Sequence, residues 1–257
     1  MVGEMTTVFS PPPGSAAATA SFDHTVWDGL LRRHVRRVGA AATCVAYGAF
    51  TANDRAMLAD YLANLRRHGV AGLDRAGQFA FWINLYNAQT VAVVLEHYPV
   101  ASIRDINLGG GVRAALLGGP WQAKLVTMAG LQLSLDDIEH GILRRLFGDP
   151  RLHYAINCAS RGCPSLLPRA FTANTLEGDL QAAAREFVNS PHGVTLETRG
   201  LVLSSIFEWY RKDFGGTDIA VLQHLAGYAD PDLRRQLLQA SRVAAYQYDW
   251  KLNDIAF

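Results

Sequence analysis

The sequence predicts an α+β fold: a mostly helical single domain whose central buried helix packs on a small antiparallel sheet. Three observations predict it. Amphipathic helical spacing fills the first third of the chain; a segment near 73–97 is apolar almost all round; and short apolar arms around turn dipeptides follow later, without alternating with helices. A chain of 257 residues, 49% of them hydrophobic, suffices for one core.

Residues 1–21 are rich in Pro, Ala, Ser and Thr, with Pro11, Pro12 and Pro13 in succession, and bury too little apolar surface to offset the cost of ordering. A disordered tail is expected there, with one domain over 22–257. Phe22, Val26, Trp27, Leu30, Leu31, His34 and Val35 share one helical face; Met57, Leu58, Tyr61, Leu62 and Leu65 share another, closed by Gly69. The third helix ends before Pro99, and its apolar circumference predicts enclosure by other elements.

A glycine-rich stretch, NLGGGVRAALLGGPW, then breaks the pattern. It lacks the Lys-Ser/Thr of a phosphate loop and reads as a flexible connection. The run KLVTMAGLQLS predicts a hairpin about Ala129-Gly130, and Ser134 with Asp137 forms a capping box for the helix LDDIEHGILRRLF. RLHYAIN alternates like a strand, AFTANTLEGDLQAAAREFVN reads as a helix, and GVTLETRGLVLS as a second hairpin about Arg199-Gly200. Two or three short helices over 206–239 and a closing strand in SRVAAYQYDWKLND complete the chain.

Twenty-four Lys and Arg against 23 Asp and Glu leave a formal charge of +1, which argues against nucleic acid or an anionic membrane surface as a partner. The longest apolar stretch, FAFWINLYNAQTVAVVL, is interrupted by Asn84, Asn87 and Gln89, so no transmembrane segment is expected. The N-terminus shows no basic and apolar signal regions. That predicts a cytoplasmic protein, or an exported one if a signal is missing from the gene start. No motif requires a cofactor, and the expected partner is a small molecule or peptide.

Chemistry concentrates in four places. Asn84 and Asn87 lie one turn apart on the apolar helix, where buried amides need partners; they either tie a crossing segment to it or orient a reacting group. Glu139 and His140 are neighbours on a helix, so only one of them, taken as His140, faces a given cleft squarely. In HYAINCASRGCPSL, strand alternation puts His153 and Asn157 on one face and Cys158 on the other. Three cysteines are too few for a disulfide scaffold; Cys44 reads as a small buried hydrophobe, Cys158 as the candidate nucleophile and Cys163 as structural. A disulfide between Cys158 and Cys163 remains open for an oxidising compartment.

Three readings follow. The first is a thiol-dependent hydrolase or acyl transferase acting on an amide or ester, with Cys158 as nucleophile, His140 as base and Asn87 or Glu139 orienting it. The second is a non-enzymatic module that binds a peptide or partner domain. The third is a metal site built from Cys158 with His140 or His153, although four intervening residues put Cys158 and Cys163 at the outer edge of zinc-ligand spacing.

The blocks FAFWINLYNAQTVAVVLEHYPVASIRDI, LSLDDIEHGILR, HYAINCASRGCPSL, LSSIFEWYRKDF and YDWKLND resemble, in order, those of domain-of-unknown-function family 547, over about residues 45–253. The family occurs widely in bacteria, where members are often exported, and in plant proteins that carry an N-terminal leucine zipper lacking here. The resemblance implies a shared pocket drawn from Asn84, Asn87, Glu139, His140, His153, Asn157, Cys158, Ser160, Cys163, Asp249, Trp250 and Asn253. Of these, Asn84, His153, Asn157, Ser160, Asp249 and Asn253 are the candidate substrate-binding groups. The layout is also similar to papain- and transglutaminase-like folds, which carry their cysteine at the start of the central helix, where this sequence has asparagines.

Overall fold

Helix boundaries follow the local chemistry of their ends. A computed structural model describes residues 21–39, 42–109, 118–198 and 200–255. Helix α1 (Thr25–His34) passes directly into strand β1 (Val35–Val38), which pairs antiparallel with β2 (Ala42–Val45). Helix α2 (Ala52–His68) begins in a capping box of Thr51 and Asp54 and stops at Gly69, whose φ of 63° suits a residue without Cβ. Trp27 of α1 stacks on Tyr61 of α2 at 6.1 Å between ring centroids.

Helix α3 (Arg75–His97) is the centre of the larger core, with 17 of its 23 residues buried. Asp74 caps it, accepting the Gly77 N–H. Burial on every side is what its nearly continuous apolar circumference requires. It packs chiefly on α2 and on the helix that bears Glu139.

Strands β3 (Val126–Met128) and β4 (Leu131–Leu133) form the expected hairpin. Ser134 and Asp137 exchange hydrogen bonds as a capping box, and the helix that follows, Asp137–Phe147, is a π-helix. RLHYAIN is not a strand. Pro150 stands in the first turn of a 3-10 helix (Pro150–Tyr154), and Asp149 accepts the Arg151 N–H at 2.9 Å, so local capping overrides the alternating pattern. The two-faced separation of His153 from Cys158 therefore does not hold.

Helix α4 (Leu176–Val188), strands β5 (Val194–Glu197) and β6 (Gly200–Ser204), and helices α5 (Ile206–Trp209), α6 (Asp218–Ala226) and α7 (Pro231–Gln239) complete the expected order. A second core gathers Tyr154, Phe187, Phe207, Phe214 and Leu225. Strand β7 (Ala245–Gln247) joins β6 in parallel, so the strands make three small sheets where one antiparallel sheet was expected. The fold is α+β and single-domain, as predicted. The tail expected over 1–21 lies outside the described residues except for Ser21, as do Arg199 and residues 110–117 of the glycine-rich stretch. No described helix is long and apolar enough to cross a membrane.

Buried His24 and half-buried His224 contribute to acid sensitivity. Burial lowers His24, bonded to the Tyr61 hydroxyl at 2.7 Å, and His224, bonded to the Tyr154 hydroxyl at 2.9 Å, each to about 4. Because the unfolded chain binds these protons near pH 6.5 and the folded one only near 4, stability is complete above 6.5 and falls as pH drops between the two values. The slope reaches about 1.4 kcal/mol per pH unit for His24 and less for the partly exposed His224. Denaturant midpoints measured from pH 7.5 to 4 are expected to show this fall, and His24→Gln should shallow it.

Candidate functional site

A cleft of about 380 Å³ opens between the two cores, lined by Tyr86 from α3, Glu139 and His140 from the π-helix, His153 and Ile156, Cys158 and Cys163, and Ile206, Trp209 and Tyr210. Structure thus brings six of the sequence-predicted residues, Glu139, His140, His153, Cys158, Cys163 and Trp250, to one cavity. Its mouth is aromatic: Trp209, Tyr248 and Trp250 pack with centroids 4.6–5.6 Å apart, Trp121 meets Trp250 edge-on, and the Arg104 guanidinium lies 5.1 Å above the Trp250 ring. Such a wall favours ligands with flat apolar faces.

The asparagines brace the cleft from behind. Asn87 donates to the Ala155 carbonyl (2.9 Å) and accepts the Asn157 N–H (2.8 Å); Asn84 makes the same two-way clamp on the Phe171 backbone (2.7 and 3.1 Å). Each carboxamide thereby satisfies two backbone groups that burial would otherwise leave unpaired. Asn157 in turn donates to the Pro164 carbonyl and accepts the Ala159 N–H, and Asn253 links Asn157 to Tyr47. None of these amides hydrogen-bonds a cleft imidazole. The orienting role assigned to Asn87 is not what its contacts provide.

The cysteine loop is held between these clamps and the closing segment. Arg161 and Gly162 donate backbone N–H groups to the Lys251 and Asp249 carbonyls, and Asn253 donates to Ala159. Gly162 is needed for the approach: a Cβ there would stand 2.7 Å from the Asp249 nitrogen. Ala159 adopts φ 63°, an uncommon value for a residue with a side chain, directly beside Cys158. Asp249 serves this pairing through its backbone, while its carboxylate accepts the Lys251 N–H.

At the cavity wall the two free thiols touch, Cys158 Sγ lying 2.7 Å from Cys163 Sγ. Cys163 Sγ also accepts the Cys158 backbone N–H (3.1 Å) and the Tyr248 hydroxyl (3.2 Å). Ser160 Oγ is 3.1 Å from Cys158 Sγ and 2.7 Å from the Tyr248 hydroxyl. Burial pushes the Cys163 thiol up, but donors from Cys158, Tyr248 and Ser160 outweigh it, and the net shift is downward. Cys158, as the donor to Cys163 and buried beside it, is pushed well above the ordinary thiol range. The sulfur poised as thiolate is Cys163, the one read from sequence as structural.

Neither sulfur has an imidazole among its hydrogen-bond partners in the described residues. His140, assigned as base, is half-exposed, with Nδ1 3.4 Å from Arg144 and 3.8 Å from Glu139 Oε1. Glu139 is buried and accepts the Tyr86 hydroxyl at 3.3 Å. His153 is committed elsewhere: its Nε2 meets Asp213 Oδ2 at 2.7 Å and its ring stacks on Tyr210 at 4.0 Å. Arg144 grips both Asp213 oxygens at 2.6 and 2.7 Å. Burial raises the Asp213 carboxyl, yet the hydrogen bonds and charges of His153 and Arg144 hold it far below the usual carboxylate range. Among the described residues no group of three or more His, Cys, Asp or Glu could hold a metal ion.

The model of the family described as "Protein of unknown function, DUF547" matches residues 70–188. Over these residues the chain is similar to that family. The matched stretch supplies α3, the π-helix, both cysteines and α4, which is narrower than the span of the sequence resemblance. Tyr210, Tyr248 and Trp250, which finish the cleft, and Asp213, which holds His153, lie beyond it. No curated protein and no solved structure matches the chain.

Sequence reasoning missed Tyr248, Tyr210, Arg144 and Asp213. Tyr248 and Asp213 stood inside the quoted blocks YDWKLND and LSSIFEWYRKDF, but their partners are 85 and 60 residues away, a separation that no local pattern encodes.

Proposed function

We propose that the cleft performs thiol-dependent acyl transfer or hydrolysis, with Cys163 as the nucleophile. The observation that carries this reading is the set of donors converging on the Cys163 sulfur at the cavity wall. A thiol held below its ordinary pKa supplies thiolate near neutral pH, and thiolate is the reactive form. Attack on an acyl carbonyl would form a Cys163 thioester; the departing alkoxide takes a proton from water, relayed through Tyr248 and Ser160, and a second water then hydrolyses the thioester or an acceptor takes the acyl group. With no imidazole bonded to the sulfur, protonating a leaving amine is the harder task, which favours esters and thioesters over amides. Glu139, His140 and His153, the last held from behind by Asp213 and Arg144, set the polarity of the opposite wall. The aromatic mouth holds the acyl donor.

The test is direct. Incubation with a p-nitrophenyl ester, followed by acid quench and peptide mass mapping, is expected to place one acyl group on Cys163; acylation at Cys44 alone, or none, contradicts the reading. A second reading, a peptide- or partner-binding module, draws on the exposed Trp209 at the mouth. A ligand that raises the melting temperature and is recovered unchanged would favour it.

A further inference from the structure

Acyl transfer needs one sulfur, and this cleft holds two. The acyl mechanism gives Cys158 only the task of donating to Cys163, yet its thiol touches the other at 2.7 Å and lines the same cavity. That proximity is built into the backbone. The loop turns through a Cys163 N–H to Ser160 carbonyl bond of 3.1 Å, and the closing segment pins it on the other side through Arg161, Gly162 and Ala159. A nucleophilic thiol with a second thiol fixed against it is the arrangement that thiol–disulfide exchange uses, one sulfur attacking and the other resolving.

We infer that the Cys158–Cys163 pair also reduces small disulfides bound in the cleft, its dithiol becoming an internal disulfide that a low-molecular-weight thiol, such as reduced glutathione, returns to the dithiol. Cys163 thiolate attacks one sulfur of a substrate RSSR, breaking its S–S bond and releasing RS⁻, which takes a proton from water. Cys158 then attacks the Cys163 sulfur of the mixed disulfide. Its proton passes to the second departing thiolate, and the Cys158–Cys163 bond forms. Two electrons move from the protein dithiol to RSSR, giving two RSH for one internal disulfide. Tyr248 and Ser160, each within 3.2 Å of Cys158 Sγ, offer the path for that proton. The inference rests on the same reactive Cys163 as the acyl-transfer reading.

The test equilibrates the full chain in glutathione buffers of increasing glutathione disulfide fraction, with alkylating quench and peptide mass mapping. Expected are the loss of two hydrogens assigned to Cys158–Cys163, its reversal by reduced glutathione, and accumulation of one glutathionyl group on Cys163 in Cys158→Ser and in Cys158→Ala. Two folded variants guard against a local folding fault in either, each checked by thermal melt. A glutathionyl group that persists on Cys163 of the unsubstituted chain, or two thiols that stay free at every ratio, overturns the inference. Ester acylation of the reduced protein is followed in parallel. Acylation without disulfide removes this inference and leaves acyl transfer standing; disulfide without acylation removes acyl transfer alone; neither removes both.

Discussion

Cys163→Ser is expected to lower ester turnover by at least about 1,000-fold while leaving thermal stability within about 1 kcal/mol. The serine oxygen inherits the Cys158 N–H and Tyr248 donors, so the loop loses little. What it loses is acidity, because a hydroxyl with no imidazole bonded to it stays protonated near neutral pH, where the cysteine at this position is poised as thiolate. Initial rates with a p-nitrophenyl ester and a thermal melt on the same preparation separate the two effects. A variant that retains turnover, or that loses it only by unfolding, contradicts the assignment.

Asp213→Ala carries the largest expected cost in stability, about 2–4 kcal/mol, or roughly 5–15 °C in melting temperature. The substitution leaves His153, almost fully buried, without its partner and strips Arg144 of a bidentate carboxylate. The figure sits below that for a fully buried pair because Asp213 and Arg144 keep about a quarter of their side chains in solvent. Asp213→Asn, which retains an oxygen acceptor, should cost less. The sign with pH follows from the lowered carboxyl: its contribution is present above the unfolded value near 4 and is lost as pH falls below it. Acid unfolding should therefore show the histidine window first and this carboxylate window below it, with the second weakened in Asp213→Asn.

Much of the fold was legible because local rules act on contiguous residues. Gly69 closes α2, Ser134 and Asp137 open the π-helix, and Ala129-Gly130 turns the first hairpin. The apolar circumference of α3 announced its burial. RLHYAIN was misread because its period-2 pattern competes with Pro150 and Asp149, and the cap prevailed. The asparagines were placed correctly as groups in need of partners, but which partners could not be read, since Ala155 and Phe171 reach them only through the tertiary fold. The site behaved likewise. Sequence brought Glu139, His140, His153 and Cys158 forward by residue type, yet the order of reactivity within the cysteine pair depends on the Cys158 N–H and on Tyr248, both fixed by the closing segment.

The polarity of that pair is the centre of this account, and site-resolved alkylation reads it directly. The reduced protein is treated with substoichiometric iodoacetamide from pH 5.5 to 9.5, quenched, and mapped by mass for Cys44, Cys158 and Cys163. Burial raises Cys44 and the neighbouring sulfur raises Cys158, so Cys163 is expected to label first, with a rate that climbs at lower pH than an ordinary thiol. Labelling led by Cys158, or all three thiols titrating together in the ordinary range, would contradict it.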